Sequence, residues 1–244
     1  MIGPLLFSLQ LRQPMQPYYN QLSPAALSER HLDELLALGW YRMHQDVFTT
    51  SHIKREEWQR VHWLRFAVAD CRLRSSHRRM LKKAERFTIT IEDGASIPDE
   101  HEALYARYYE SIDFDGARSV ADSLFGEEPP GLSIFQTKAV CVSVGSRLIA
   151  VGYFDIGHEA AASILHFYDP AYARYSPGKL LILKTLEYLR HHHYTYYYPG
   201  YVVENDRKMN YKLFLGADLA RYFDPETTHW KPLPQLPDFN LHFA

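Results

Sequence analysis

Apolar residues fall at every second position in Lys138–Val144, at Val140, Val142 and Val144. The two-residue turn Gly145-Ser146 leads into a return strand, Arg147–Ile156, and Gly157-His158-Glu159 leads into a third, Ala160–Tyr168. Period-two patterning broken by tight turns predicts a three-strand antiparallel meander. The period then becomes helical: Ser176-Pro177-Gly178 opens an apolar stretch over Pro177–His192, with proline in the first turn. A tyrosine-dense strand at 194–198, a short helix ending near Gly216 and a final strand at Leu219–Phe223 complete the series.

Upstream the pattern is weaker. Residues 1–22 read as irregular, interrupted by Pro4, Pro14 and Pro17. A helix starting at Ser23-Pro24 or at Ser28 places Leu27, Leu32, Leu35, Leu36 and Leu38 on one side, and Gly39 can end it. Residues 40–50 predict a weak strand, 61–69 a better one, Phe87–Ile91 a clean one, and Asp99–Ile112 a helix. The stretch 113–133, with Gly116, Gly126, Gly131 and Pro129-Pro130, predicts a mobile loop or cover. From Asp224 the chain is proline-rich and aperiodic, a tail expected to run along the surface.

The implied division is an N-terminal region, 1–87, carrying a basic helix, then a core, 88–224, then a tail, 225–244. Meander, crossover helix, strand, helix, strand is the order of an α/β (α+β mixed sheet) GNAT-like N-acyltransferase core. There two parallel strands splay apart to leave a ligand cleft. Fold alone does not decide chemistry.

Composition narrows the classes. The 244 residues carry a formal charge of −2, which excludes a general polycation. Cys71 and Cys141 stand far apart and suggest a reducing compartment without a metal framework. No signal peptide and no membrane span are read, so a cytoplasmic protein is expected. His191-His192-His193 is no metal motif, because consecutive helical residues point about 100° apart. Metal and cofactor are both expected to be absent.

One charge cluster stands out. From Arg72 to Arg86 there are seven Lys or Arg against one acid, Glu85. On a helix Arg78, Arg79, Lys82, Lys83 and Arg86 share a face, with Met80, Leu81, Ala84 and Phe87 inward. Such a face is commonly just solvated. Like charges at helical spacing repel, however, so a run this one-sided also fits phosphate-backbone binding.

Chemically unusual residues gather in His166–Lys212. An acetyl-CoA site on this core would need a Gln/Arg-x-x-Gly-x-Gly/Ala loop at the crossover helix. Arg174-Tyr175-Ser176-Pro177-Gly178-Lys179-Leu180 sets its glycine one place late, and Pro177 lacks an N–H. Ordinary acetyl-CoA binding is therefore disfavoured.

Phe167-Tyr168-Asp169-Pro170, Ser176 with Gly178, Gly200-Tyr201, and Lys208-Met209-x-Tyr211-Lys212 with Phe214 occur in that order, preceded by Arg74-Ser75-x-x-Arg78-Arg79 and Lys82-Lys83. Together, over roughly 20–220, these pieces resemble the arginyl/leucyl-tRNA–protein transferases. Those enzymes append an amino acid from charged tRNA to a protein N-terminus. The family's N-terminal cysteine cluster has no counterpart, since residues 19–66 hold no cysteine. The resemblance implies aminoacyl-tRNA and an acceptor N-terminus, bearing an acidic residue, as partners. Oligomeric state stays open.

Aminolysis of an activated ester needs alignment, which can supply about 7–11 kcal/mol. It also needs deprotonation of an amine of pKa about 8 and a proton for the leaving oxygen. Asp169 is the candidate to accept a proton or orient the ammonium, with turn formation before Pro170 as its ordinary role. Tyr168 and Tyr201 are candidate donors to the ribose or the oxyanion, with core packing as theirs. Ser176 (most simply a helix N-cap), Gly178, Lys208, Tyr211 and Lys212 form the candidate substrate-binding set. Lys208 and Lys212 are read as sharing one helix face. Arg74, Arg78, Arg79, Lys82, Lys83 and Arg86 form the candidate tRNA-binding set. Two further readings stay open: a GNAT-type acyltransferase acting on a small molecule or amino acid, and a non-catalytic tRNA-binding relative.

Overall fold

The computed structural model describes residues 17–54, 56–112, 116–129, 132–204 and 206–233. In order these form β1 (Tyr19–Leu22), α1 (Glu29–Ala37), β2 (Tyr41–Met43), β3 (Asp46–Thr50), β4 (His52–Lys54), β5 (Trp58–Ala67), α2 (Ser75–Ala84), β6 (Thr88–Asp93), α3 (Asp99–Tyr109) and α4 (Val120–Phe125). Then come β7 (Thr137–Val144), β8 (Arg147–Ile156), β9 (Ala160–Tyr168), α5 (Pro177–His191), β10 (Tyr196–Val203), β11 (Arg221–Asp224) and β12 (His229–Pro232). Short 3-10 helices occupy Val68–Asp70, Pro170–Tyr175 and Arg207–Leu215.

The predicted meander forms as β7–β8–β9, all antiparallel, and α5 carries the chain over to β10, which pairs parallel to β9. The mixed α/β sheet expected from the pattern is therefore present. Ser28, not Ser23, caps α1: its hydroxyl accepts from the His31 N–H at 3.2 Å. Gly39 ends that helix at φ 78°.

Several expectations change. Residues 19–22 are not irregular, because β1 pairs antiparallel with β3; residues 1–16 lie outside the described part. Within 113–133, Val120–Phe125 is a helix whose cap Ser119 accepts from Asp122 N–H at 2.9 Å. Residues 113–115 and 130–131 lie outside the described part. The tail is not all surface coil: β12 pairs with β11, and the Trp230 indole donates to Ala37 O at 2.8 Å. One paired strand of four residues is too short for its period to be read against the flanking prolines.

The large sheet runs β12-β11-β5-β10-β9-β8-β7-β6, with β4 on β5, and β1-β3-β2 form a separate small sheet. Position 87 is not a break in this sheet, since β5 sits between β10 and β11. Alternation sorts the two faces. Val140, Val142, Ala150, Leu64 and Phe66 meet α5 and α2, while Ala139, Cys141, Val151 and Tyr153 meet α3 and α4. On that second face Trp63 and Tyr198 pack with Tyr41 and Val47 of the small sheet.

A buried strut ties the small sheet down. Arg42 donates to Asp155 at 2.8 Å, to Thr137 Oγ1 at 3.0 Å and to Leu124 O at 2.5 Å. Burial pushes the Asp155 carboxyl up, and Arg42 and Thr137 oppose that push.

Candidate active site

β9 and β10 pair only through Ala160–Ala162 and Tyr196–Tyr198. Beyond that both strands bulge. β9 carries an extra residue opposite the Tyr153–Phe154 step, and β10 slips against β5 between Tyr197 and Gly200. Bulges bend a strand and increase its twist, and Pro199 has no N–H to offer a neighbour. β10 therefore stays with β5 through Val203 and leaves β9. A cleft of about 320 Å³ opens in the gap. Gly200, at φ 93°, makes the turn at its edge; an added Cβ would lie 3.4 Å from the Lys212 Nζ.

The cleft wall is aromatic. Tyr41 stacks on Trp63 with centroids 3.8 Å apart, and Trp63 meets Tyr201 edge-on at 4.9 Å. Phe48, Met43, His44, Ile164 and Leu165 extend the lining. Residues of the N-terminal region thus supply one wall, a contribution the linear pattern does not reveal because it depends on β5 entering the sheet.

Two titratable groups line the opening. Lys212 is half-buried: its Nζ donates to Tyr201 O at 2.8 Å and lies 4.9 Å from the Tyr201 ring centroid. Burial pulls its pKa down to about 8, against the opposing charge of Asp206. His166 sits opposite Gly152, where a side chain would come within 3.0 Å of the imidazole. Burial, with the positive Lys212 beside it, pulls His166 down to about 4. Its ring is thus neutral at pH 7, and Nε2 is buried with no hydrogen-bond partner among the described residues. Sequence reasoning missed His166; as the first residue of the His-Phe-Tyr-Asp-Pro run it stood beside the motif, but only the bulge aims it at the gap.

Of the candidate residues, Tyr201, Tyr211 and Lys212 line the cleft. Gly178 adjoins it, since a Cβ there would meet the Tyr211 ring at 3.8 Å. Tyr168 lies outside the lining, packed on Tyr108 with centroids 5.4 Å apart. Asp169 is also outside. Its oxygens take the Ala171 N–H at 3.0 Å and Arg147 at 2.6 Å, with Arg107 at 3.8 Å. Burial raises the Asp169 carboxyl, but the Ala171 N–H and the two guanidiniums outweigh it and hold the acid below its usual range.

Two local readings need correction. Ser176 occupies the cap position of α5 but in a left-handed conformation, φ 53°, and its side chain caps nothing. The Pro170–Tyr175 turn arrives with its own geometry and dictates that backbone. Lys208 and Lys212 do not share a face: their segment is a 3-10 helix, in which residues four apart diverge by about 120°. Lys208 is exposed and Lys212 turns inward.

The basic helix packs against the segment that follows β10. His77 Nε2 donates to Phe214 O at 2.9 Å, leaving Nδ1 to accept from Arg74 N–H at 3.2 Å. Arg74 pairs with Asp218 at 2.5 Å. At the other end the Arg86 guanidinium lies 5.5 Å from the Tyr175 ring centroid, just before α5 begins. Arg78, Arg79, Lys82, Lys83 and Arg86 all remain exposed. Through His77 the helix packs on the Arg207–Leu215 segment that carries Lys208 and Lys212.

Residues 100–217 match the family model described as "Arginine-tRNA-protein transferase, C terminus". The aspartate/glutamate leucyltransferase of Helicobacter hepaticus is 27% identical over 182 residues, covering 73% of this chain and 73% of its own. That of Xanthomonas euvesicatoria pv. vesicatoria is 28% identical over 177 residues, covering 70% and 68%. Among solved structures, the C-terminal domain of a protein described as a lysylphosphatidylglycerol synthetase from Agrobacterium fabrum has a TM-score of 0.47 and 15% identity. It covers 58% of this chain and 48% of that one. With a cleft at a splayed strand pair and these sequence relatives, the protein is an aminoacyltransferase. The family match, over just under half of the chain, and these relatives support the arginyl/leucyl-tRNA–protein transferase family at modest identity. Among the described residues no helix is long and apolar enough to cross a membrane.

Proposed function

We propose that the protein moves leucine from charged tRNA to the α-amine of an acceptor protein whose first residue is acidic, in the cytoplasm, on a GNAT-like core. The observation that carries the reading is the cleft lining: aromatic and aliphatic side chains with Lys212, Arg42 being already paired with Asp155, and no carboxylate among the described lining residues. A leucyl side chain suits such a wall. An arginyl side chain would lose its water without meeting a counter-charge, which is costly. An acidic first residue meets Lys212 instead of a like charge.

In this reading the α-amine attacks the ester carbonyl, a C–N bond forms, and the C–O bond to the terminal ribose breaks. The proton lost by the amine is balanced by the one the ribose oxygen gains. Lys212 stabilises the developing oxyanion and gives the ribose oxygen its proton, and the proton released by the amine restores the Lys212 ammonium. Neutral His166 accepts a hydrogen bond from the incoming amine and orients its lone pair. Tyr201 and Tyr211 shape the site around the ribose. The exposed face of α2 holds the acceptor stem.

The direct test incubates the protein with labelled leucyl-tRNA or arginyl-tRNA and peptides beginning with Asp, Glu or Ser. Leucine should pass to the Asp and Glu peptides alone. Transfer of arginine would overturn the donor assignment, and saturable CoA binding in place of any transfer would favour the small-molecule acyltransferase. Reversing charge with Arg78→Glu and Arg79→Glu should weaken tRNA binding roughly tenfold or more at low salt and flatten its salt dependence. Melting temperature should hardly change, since both side chains are exposed. Unfolding of that variant would make the basic face structural.

Asp169→Ala should act chiefly on stability. It loses a cap on the following turn, about 1 kcal/mol, while the ion pair to the exposed Arg147 adds little. Transfer should drop by no more than about tenfold, and a loss of a thousandfold would return Asp169 to the reaction path.

A further inference from the structure

The 3-10 turn Pro170–Tyr175 meets Arg86, just past the basic helix, and leads into α5. Tyr172 and Tyr175 are both half-buried, with ring centroids 6.2 Å apart and planes inclined by 33°. Three guanidiniums flank them: Arg147 lies 5.9 Å from the Tyr172 centroid, Arg174 4.9 Å and Arg86 5.5 Å from that of Tyr175. Phe87 props Tyr175 edge-on at 5.4 Å, fixing its plane. Immediately after the turn, Gly178 adjoins the Tyr211 ring, which lines the cleft.

Half-buried aromatic faces beside exposed arginines are the combination that holds unpaired nucleotides. The rings offer stacking surfaces, and the cations track the phosphates. A structural account of Tyr175 would be packing on Phe87 alone, but packing does not call for Arg86 and Arg174 over the same ring. A duplex resting on the α2 face has to be followed by a single strand to reach Lys212. Tyr175 adjoins Arg86 just past that helix, and Gly178, three residues on, adjoins the cleft residue Tyr211.

We propose that Tyr172 and Tyr175, with Arg86, Arg147 and Arg174, form a stacking platform for the unpaired 3′ nucleotides of the donor tRNA, between the stem held by α2 and the aminoacylated end in the cleft. This rests on the tRNA reading above. It assigns a single-stranded RNA site to residues outside both the cleft lining and the basic helix.

The test compares binding of one deacylated tRNA with the same tRNA lacking its three 3′ nucleotides, for the full chain and for variants. Wild type should prefer the intact RNA by roughly tenfold, as one or two stacked bases provide. Tyr172→Ala with Tyr175→Ala should abolish that preference while leaving the salt-dependent affinity for the trimmed RNA unchanged. Tyr175→Phe alone, which keeps the stacking face, should retain the preference. Equal weakening toward both RNAs, or a preference that survives the double replacement, overturns the platform and leaves the transferase reading intact. Failure of the wild type to bind either RNA overturns both.

Discussion

Replacing Lys212 with Met should abolish aminoacyl transfer while leaving the fold at least as stable. Lys212 is the cation at the splayed opening, with a pKa pulled to about 8 by burial. Removing one pre-organised donor from a developing oxyanion typically lowers turnover by about 10²–10³, and Lys212 is also the assigned proton source. Single-turnover transfer from leucyl-tRNA to an Asp-initial peptide measures the loss. A variant retaining more than about a tenth of wild-type turnover would exclude Lys212 from that role.

The acceptor amine, of pKa about 8, must lose its proton to attack, so kcat/KM rises with pH on the acid limb. Lys212 must keep its proton, so kcat/KM falls as pH passes about 8. His166, pulled to about 4, contributes no limb in the neutral range. Stability moves the other way. The folded value of Lys212 lies below its ordinary 10.5, so the folded state binds fewer protons than the unfolded state between about 8 and 10.5. Stability therefore increases as pH rises through that window. Lys212→Met removes this dependence and should raise Tm at pH 7.

Arg42→Met should be the most damaging single change to stability. It leaves Asp155 buried opposite Thr137 with its counter-ion gone, and it leaves Leu124 O with the Gln45 amide alone. Breaking a buried pair from one side costs about 3–5 kcal/mol, enough to unfold many domains of this size. Urea denaturation followed by tryptophan fluorescence reads it, since Trp63 lies in the cluster that packs the small sheet down. Adding Asp155→Leu to Arg42→Met should recover much of the loss, because no uncompensated charge then remains. If the single replacement costs under about 1 kcal/mol, the strut does not hold the small sheet.

The strand periods were legible wherever a strand kept one face to each side of the sheet. β8 and β9 begin and end where the alternation and the Gly145 and Gly157 turns put them. Ser28 was readable as one of two caps. The basic helix was readable from its one-sided charge, and its inward residues Met80, Leu81, Ala84 and Phe87 do pack on the core. The Lys208–Lys212 pair was misread because the same residues suit an α-helix or a 3-10 helix, and only the packing of Phe214 and Leu215 against α5 and β10 selects between them.

Other features had no linear signal. β5 carries a strand pattern, yet nothing local says that it inserts between β10 and β11, since a strand's neighbours are chosen by the whole sheet. Two bulges, each a single extra residue, decide that β9 and β10 part company and that His166 points into the gap.

Composition and spacing by themselves determined the meander, the crossover helix and the cationic helix, because these follow from backbone period and side-chain type over a few residues. Only the tertiary structure decided that Tyr201, Tyr211 and Lys212 meet while Asp169 stands apart, locked by Arg147. The strand ends that carry these residues are brought together or separated by pairings more than a hundred residues apart in the chain, where loop closure and burial, not local preference, set the outcome.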